Sequence, residues 1–190
     1  MTRRTAQLKP LKDSGYTKLF LVRDTGSGEY LVEKSLGVSI DFQEQLFENE
    51  MHIHSCLHHR YVIDFVQQTG PHRFLMEYAP RGSLDQYVRD KPGDKESLKM
   101  CIQFLKGLDY LHKCGFAHND IKPSNILLTK ESRAKLADFA FAGPLGRVTL
   151  KNPPAIFKLG TDLFRRPQMA QTGLTNLAEN DIYAVGVVLY

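Results

Sequence analysis

Residues 117–128 read AHNDIKPSNILL, and no other stretch restricts so sharply what this chain can fold into. Asp120, Lys122 and Asn125 crowd into six positions, and an unbroken apolar run at 126–128 follows them directly. A surface loop has no structural need for that order. A core strand would avoid it, because buried charged and amide groups cost free energy unless each finds a partner. The residues suit a loop that handles a metal-bound phosphate and is pinned by the strand after it. A second acid stands downstream at Asp138, in LADFA. The alternative is an Asx-rich surface turn, which does not account for an acid, a lysine and an amide arriving together with that second acid.

The rest of the chain predicts a scaffold of two parts. KLFLV (18–22) and EYLVEK (29–34) flank RDTGSG, a turn-rich hairpin connection. Residues 41–57 place Phe42, Leu46, Phe47, Met51 and Ile53 at helical spacing, with Asp41 as the N-cap. Strands are expected at 61–66 and 73–78, then a turn and a helix in APRGSLDQYVRD. Residues 96–115 form the clearest helix, with Gly115 as its stop. ILLT and AKLA read as short strands, 140–173 as irregular, and an apolar helix starts at 181. The expected class is α+β: a tail over 1–10, a β-rich small lobe over 11–78, and a helical lobe over 79–190.

Composition bears on partners. The chain is 42% hydrophobic and 24% charged, as in globular domains and unlike disordered chains. The net charge of +4 is spread along the sequence, so no nucleic acid is expected. Cys56, Cys101 and Cys114 are odd in number and lack CxxC spacing, which suits a reducing, intracellular setting, cytoplasmic or nuclear. No stretch approaches the roughly 20 apolar residues of a membrane span, and no membrane partner is expected.

HNDIKPSN followed by ADFA resembles the catalytic loop and metal-binding segment of eukaryotic protein kinases, written HRDxKxxN and DFG. The match runs from about Leu11 to Tyr190 in the family's order. The resemblance implies a two-lobed kinase-like fold in which Asp120 accepts or orients the proton of the substrate hydroxyl. Lys122 would steady the γ-phosphate of ATP, and Asn125 and Asp138 would hold Mg²⁺. In the small lobe YLVEK resembles the family's AxK strand. Val32 then takes the Ala position, Lys34 is the phosphate-binding lysine, and Glu50 is its helix partner, with Glu48 less well in register. Adenine would lie against Leu19, Val32 and Leu127, with Met76 behind and the backbone of Glu77 and Ala79 at its edge. Asp181 would brace the catalytic loop.

Several positions depart from the family pattern. The Gly-rich loop aligns with KDSGYTKL, which puts Lys12, Ser14 and Thr17 where GxGxxG has glycines, so weakened nucleotide binding is expected. Gly26 and Gly28 lie too near Lys34 to form that loop. Ala140 replaces the Gly of DFG, and Asn119 replaces the Arg of HRD, the usual partner of an activation-loop phosphate. GTDLFRRPQ (160–168) keeps Thr161 and Phe164 but has Gln168 for a glutamate. A neutral amide there suits a helical lobe that ends early; the alternative is a fragment of a longer protein, since a helix cut at an apolar residue exposes core surface. His54 and His58 share the i, i+4 spacing of a zinc pair, although no other ligand is in register.

Lys122 two residues after Asp120, and the GT at 160–161, resemble the Ser/Thr branch. The expected activity is ATP-dependent phosphorylation of a Ser or Thr hydroxyl in a protein. The alternative is a pseudokinase-like module that binds another kinase or a regulatory protein.

Overall fold

The structure, a computed structural model, describes residues 3–37, 41–88, 93–149, 162–164, 166 and 174–189. Strands β1 (Thr5–Asp13), β2 (Thr17–Asp24), β3 (Tyr30–Leu36), β4 (Phe65–Gly70) and β5 (Arg73–Glu77) form one antiparallel sheet in the order β1-β2-β3-β5-β4. Helix α1 (Asp41–Ser55) packs beneath it. Alternation along β3 and β5 turns Val32, Lys34, Phe74 and Met76 to the same face. There Val32, Phe74 and Met76 meet Phe47 of α1 together with Ile63 and Ala137. Phe47 and Phe74 are fully buried, each worth roughly 1.5–3 kcal/mol of apolar transfer.

After β5 the chain crosses to helices α2 (Leu84–Val88) and α3 (Asp94–Lys113). Then follow β6 (Phe116–Ala117), a 3-10 turn (Pro123–Asn125), β7 (Ile126–Leu128), β8 (Ala134–Leu136), β9 (Gly143–Pro144), β10 (Arg147–Thr149), a second 3-10 turn (Asp162–Phe164), β11 (Leu174–Asn176) and α4 (Leu177–Leu189). Met100, Phe104, Leu108 and Leu111 repeat along one face of α3 and pack against Ile126, Leu128, Leu136 and Phe139. Gly107 allows the close approach, because a Cβ there would lie 2.4 Å from the Tyr61 carbonyl oxygen.

The two lobes and the α+β class agree with the sequence. Some boundaries differ, each for a physical reason. Residues 5–13, expected as tail up to residue 10, form β1, which pairs with β2 from Thr5↔Asp24 to Asp13↔Lys18. Its side chains are largely exposed, so it lacks the alternation that marks a strand. The strand expected at 61–66 begins at Phe65. Tyr61, Val62 and Ile63 are buried, yet they serve as a connection that bonds to the second lobe through Leu136 N–H to Tyr61 O at 2.9 Å and Ile63 N–H to Leu136 O at 2.8 Å. Asp41 opens α1 as its first residue. Helix α3 runs over 94–113, with Gly115 just beyond at φ +86°. The last helix starts at Leu177, ahead of the expected 181. β10 and β11 pair within and beyond the stretch read as irregular. Thr161, Gln168 and Tyr190 lie outside the described residues.

Candidate active site

A cleft of about 540 Å³ separates the sheet from the helical lobe. Leu19, Val32, Met76 and Glu77 line it from the sheet, Leu127 and Ala137 from the other side, and Ala79 along the connection between lobes. That connection is fastened to β7 by Arg81 N–H to Leu128 O at 3.2 Å and Leu128 N–H to Gly82 O at 2.8 Å. These bonds set Leu127 below the apolar floor of the sheet.

The polar end holds Lys34, Glu50, Asn125 and Asp138. Lys34 Nζ lies 2.7 and 2.6 Å from the two oxygens of Glu50, whose side chain is 2% exposed, and donates to Asp138 Oδ1 at 3.2 Å. Glu48 is exposed, so Glu50 is the partner that the helix register selects. One ammonium thus serves two carboxylates. Burial opposes the charge on Lys34, but Asp138 and Glu50 outweigh it and raise its pKa. Burial raises Glu50 to about 7, with Lys34 offsetting part of the rise and Asp138 adding to it. Burial works against the Asp138 anion too, yet Lys34 prevails and holds that carboxyl below its ordinary range.

Asp120 and Lys122 stand beside the cleft lining. Lys122 Nζ reaches Asp120 Oδ2 at 2.6 Å, and Asn125 Nδ2 donates to both Asp120 O and Oδ2 at 2.9 Å. Asn125 lines the cleft itself, and its carbonyl accepts the Ala137 N–H at 2.9 Å, so the loop and the Asp138 segment are joined. Asp181 accepts from the N–H groups of His118 and Asn119 at 2.8 Å and bonds His112 Nε2 at 2.8 Å. This is the brace the resemblance implied, and His112 adds to it. His118 Nε2 pairs with the Ala137 carbonyl at 3.1 Å while Nδ1 accepts from Asp120 N–H, which selects the Nε2–H tautomer.

The β1–β2 turn departs from a phosphate-cradling loop. Asp13 accepts the Gly15 N–H at 2.8 Å, Ser14 Oγ accepts the Thr17 N–H at 3.0 Å, and Gly15 sits at φ +80°. The turn consumes its own backbone donors, and Tyr16 O is tied to Gly37 N–H at 2.7 Å. Leu11 and Lys12, which precede this turn, line the cleft.

Four rings pack in a chain through the lobes: His118 and Phe139 tilted at 5.3 Å, Phe139 and His54 tilted at 5.0 Å, and His54 edge-on to Phe65 at 5.6 Å. His54 Nε2 bonds the Ile63 carbonyl at 2.6 Å, which gives the histidine a role that an aliphatic side chain could not fill. His54 and His58 do not come together as a zinc pair: His54 is engaged and buried, whereas the His58 side chain is 95% exposed and lies 3.6 Å from Asp64. Burial depresses His54 to about 4, with Lys34 adding to the fall and the Ile63 bond opposing it. A base depressed on folding stabilises the fold above its unfolded pKa of about 6.5, and that stability is lost as pH falls towards about 4. Between about pH 7.5 and pH 5 the loss reaches about 2 kcal/mol. In His54→Leu that part of the acid sensitivity should vanish, as read by urea midpoints at both pH values. An unchanged pH slope would contradict it.

Sequence reasoning missed Asn49, His112 and Lys135. Asn49 Nδ2 donates to the carbonyls of Ala140 and Ala142. Lys135 Nζ, buried behind the connection between lobes, bonds Glu77 at 2.5 Å and Asp64 at 3.4 Å. None carries a local signal, because each partner is remote in sequence.

Residues 13–190 match the family model described as the protein kinase domain. A probable serine/threonine-protein kinase of Streptomyces coelicolor is 26% identical over 93% of this chain and 28% of its own length. A serine/threonine-protein kinase 4 homolog of Dictyostelium discoideum is 33% identical over 85% of this chain and 15% of its own. A serine/threonine-protein kinase of Arabidopsis thaliana, PBL27, is 32% identical over 94% of this chain and 37% of its own. The chain therefore spans well under half the length of these relatives. With the buried lysine–glutamate pair, the two acids and the braced loop arranged around one interlobe cleft, the match leaves one assignment: the chain belongs to the protein kinase domain family.

Proposed function

We propose that the chain is the catalytic core of a serine/threonine protein kinase that transfers the γ-phosphate of ATP to a protein hydroxyl. The observation that carries this reading is the Lys34 ammonium, held between Glu50 and Asp138 at the polar end of an apolar-walled cleft. Leu19, Val32 and Leu127 provide flat apolar surfaces for adenine, and the backbone of Glu77 and Ala79 provides its hydrogen bonds. Lys34 orients phosphate oxygens, and Glu50 keeps Lys34 in place.

Asp138 and Asn125 suit Mg²⁺ by the chemistry of the donor set. Both line the cleft, and both offer hard oxygen ligands. The Asn125 amide nitrogen is spent on Asp120, which leaves its Oδ1 for a cation. Bound there, Mg²⁺ would neutralise phosphate charge. Lys122 and Asn125 both occupy Asp120 Oδ2, so Oδ1 is the atom that accepts the hydroxyl proton. The self-bonded β1–β2 turn gives phosphates little backbone support, and weak nucleotide affinity follows.

The test is Mg²⁺-dependent transfer of labelled phosphate to a generic Ser/Thr substrate, together with a nucleotide thermal shift. At about 100-fold excess over Kd, ATP should stabilise the protein by about 2.7 kcal/mol. For a domain of this size that shift is about 5–10 °C. The shift should depend on Mg²⁺ and shrink with chelator. No shift and no labelling at millimolar Mg²⁺ and ATP would leave only the binding-module alternative.

A further inference from the structure

Three consecutive carbonyl groups follow Phe139, and side-chain amides take all of them. Asn49, next to Glu50 on α1, donates through Nδ2 to Ala140 O at 3.1 Å and to Ala142 O at 2.9 Å. Asn119, next to Asp120, donates through Nδ2 to Phe141 O at 3.0 Å. Between them lies a turn closed by Ala142 N–H to Phe139 O at 3.0 Å. Asn119 adopts φ +64°, a left-handed conformation that asparagine tolerates better than most side chains. Its own N–H is fixed by Asp181 at 2.8 Å, which holds its backbone, and the bond to Phe141 O is what engages its amide.

Asp138, at φ +67°, leads directly into this segment. A carboxylate residue persists there only where the surroundings hold it. Its side chain is 39% exposed, and within the cleft it is anchored by the Lys34 bond. Release of residues 140–142 would let it swing away from Asn125.

We propose that Asn49 and Asn119 are positioning residues that form a two-sided amide clamp on residues 140–142 and thereby hold Asp138 at the metal-binding position. The clamp rests on the reading of Asp138 as a metal ligand. It gives position 119 a role of its own, in which a neutral amide bonds the segment backbone directly where the family pattern has an arginine for a phosphate. It also couples the segment to α1. Asn49 and Glu50 are neighbours, so α1 cannot retreat from Lys34 without surrendering both carbonyls.

Two variants test it. Asn49→Asp puts an acceptor of the same shape against two carbonyl oxygens. Asn119→Gly keeps the left-handed backbone and deletes only the amide. In nucleotide-free protein each should raise hydrogen exchange at the Ala142 amide about tenfold, with the change concentrated on residues 138–142. Each should also raise the Mg²⁺ concentration for half-maximal phosphotransfer several-fold while the KM for the peptide stays unchanged. Asn49→Asp should recover in part as pH falls towards about 5, because the protonated carboxyl has one O–H to donate to one of the two carbonyls. A purely structural defect would not recover that way.

Wild-type protection of Ala142 in both variants would overturn the clamp, as would a loss of protection spread evenly over the domain. If Asn49→Asp does not fold, Asn119→Gly alone decides. Exchange requires no nucleotide, so a wild-type protein inert towards ATP would refute the phosphotransfer reading and leave the clamp to stand or fall on protection. Lost protection with unaltered Mg²⁺ dependence in an active enzyme would overturn the link to Asp138.

Discussion

Asp120→Asn should lower phosphotransfer by about 10²–10⁴-fold, the span that a positioned general base supplies, while ATP still stabilises the protein as in wild type. The neighbours dictate why so small a change is so costly. Asp120 Oδ2 receives two donors, Lys122 Nζ at 2.6 Å and Asn125 Nδ2 at 2.9 Å. An amide at this position must turn its only oxygen towards those donors. Its NH₂ then faces the substrate side, presenting a donor where the reaction needs an acceptor. The Asp120 side chain is 2% exposed, and its backbone N–H is held by His118, so the group has no freedom to find another pose. The nucleotide cleft does not include Asp120 among its lining residues, which is why binding should survive. Labelling of a Ser/Thr substrate at the wild-type rate by the variant would remove Asp120 from the catalytic role.

Lys34→Met should destabilise the fold by about 3–5 kcal/mol near neutral pH, the cost of leaving a buried charge without its partner. Glu50 is 2% exposed, and Lys34 supplies both of its ion-pair contacts. The loss has a defined pH dependence. Burial already raises Glu50 to about 7 with Lys34 present, and removing the lysine raises it further. A carboxyl raised on folding imposes no penalty below its unfolded pKa, and the penalty grows as pH climbs towards the folded value. The part of the deficit owed to Glu50 should therefore be small near pH 5 and largest above pH 7, as read by denaturant midpoints, whereas the part owed to the lost Lys34 contact with Asp138, a carboxyl held below its ordinary range, persists at both. Adding Glu50→Gln to Lys34→Met should restore most of the stability at high pH, because the amide needs no counter-charge. It should restore none of the phosphotransfer, because Lys34, the cation that orients the phosphate oxygens, is still missing. A Lys34→Met protein as stable as wild type above pH 7 would show that the pair carries no buried charge.

The same contrast between local and distant information separates what could be read in advance from what could not. The loop at 117–128 and Asp138 were legible because their residues sit within a few positions of one another, and spacing alone narrows their chemistry. Lys34 and Glu50 were legible in a weaker way, each by register within its own element, and their 2.6–2.7 Å contact agrees with that register. Strand β1 was not legible, since one edge of it faces solvent and its side chains are almost all exposed. Tyr61, Val62 and Ile63 look like a strand because they are apolar. They are apolar for another reason, as they form the seam where the lobes meet at Leu136.

By sequence alone this chain specified its α+β class, its main helices and strands, and the set of charged and amide groups assembled at the cleft, because periodicity, turn residues and short spacings act between near neighbours. Only tertiary structure decided that Asn49 holds Ala140 and Ala142, that His54 serves the Ile63 carbonyl, and that Lys135 backs Glu77. Each of those bonds joins groups whose pairing arises when separately folded elements pack, and a lone asparagine, histidine or lysine carries no sign of which distant carbonyl or carboxylate it will meet.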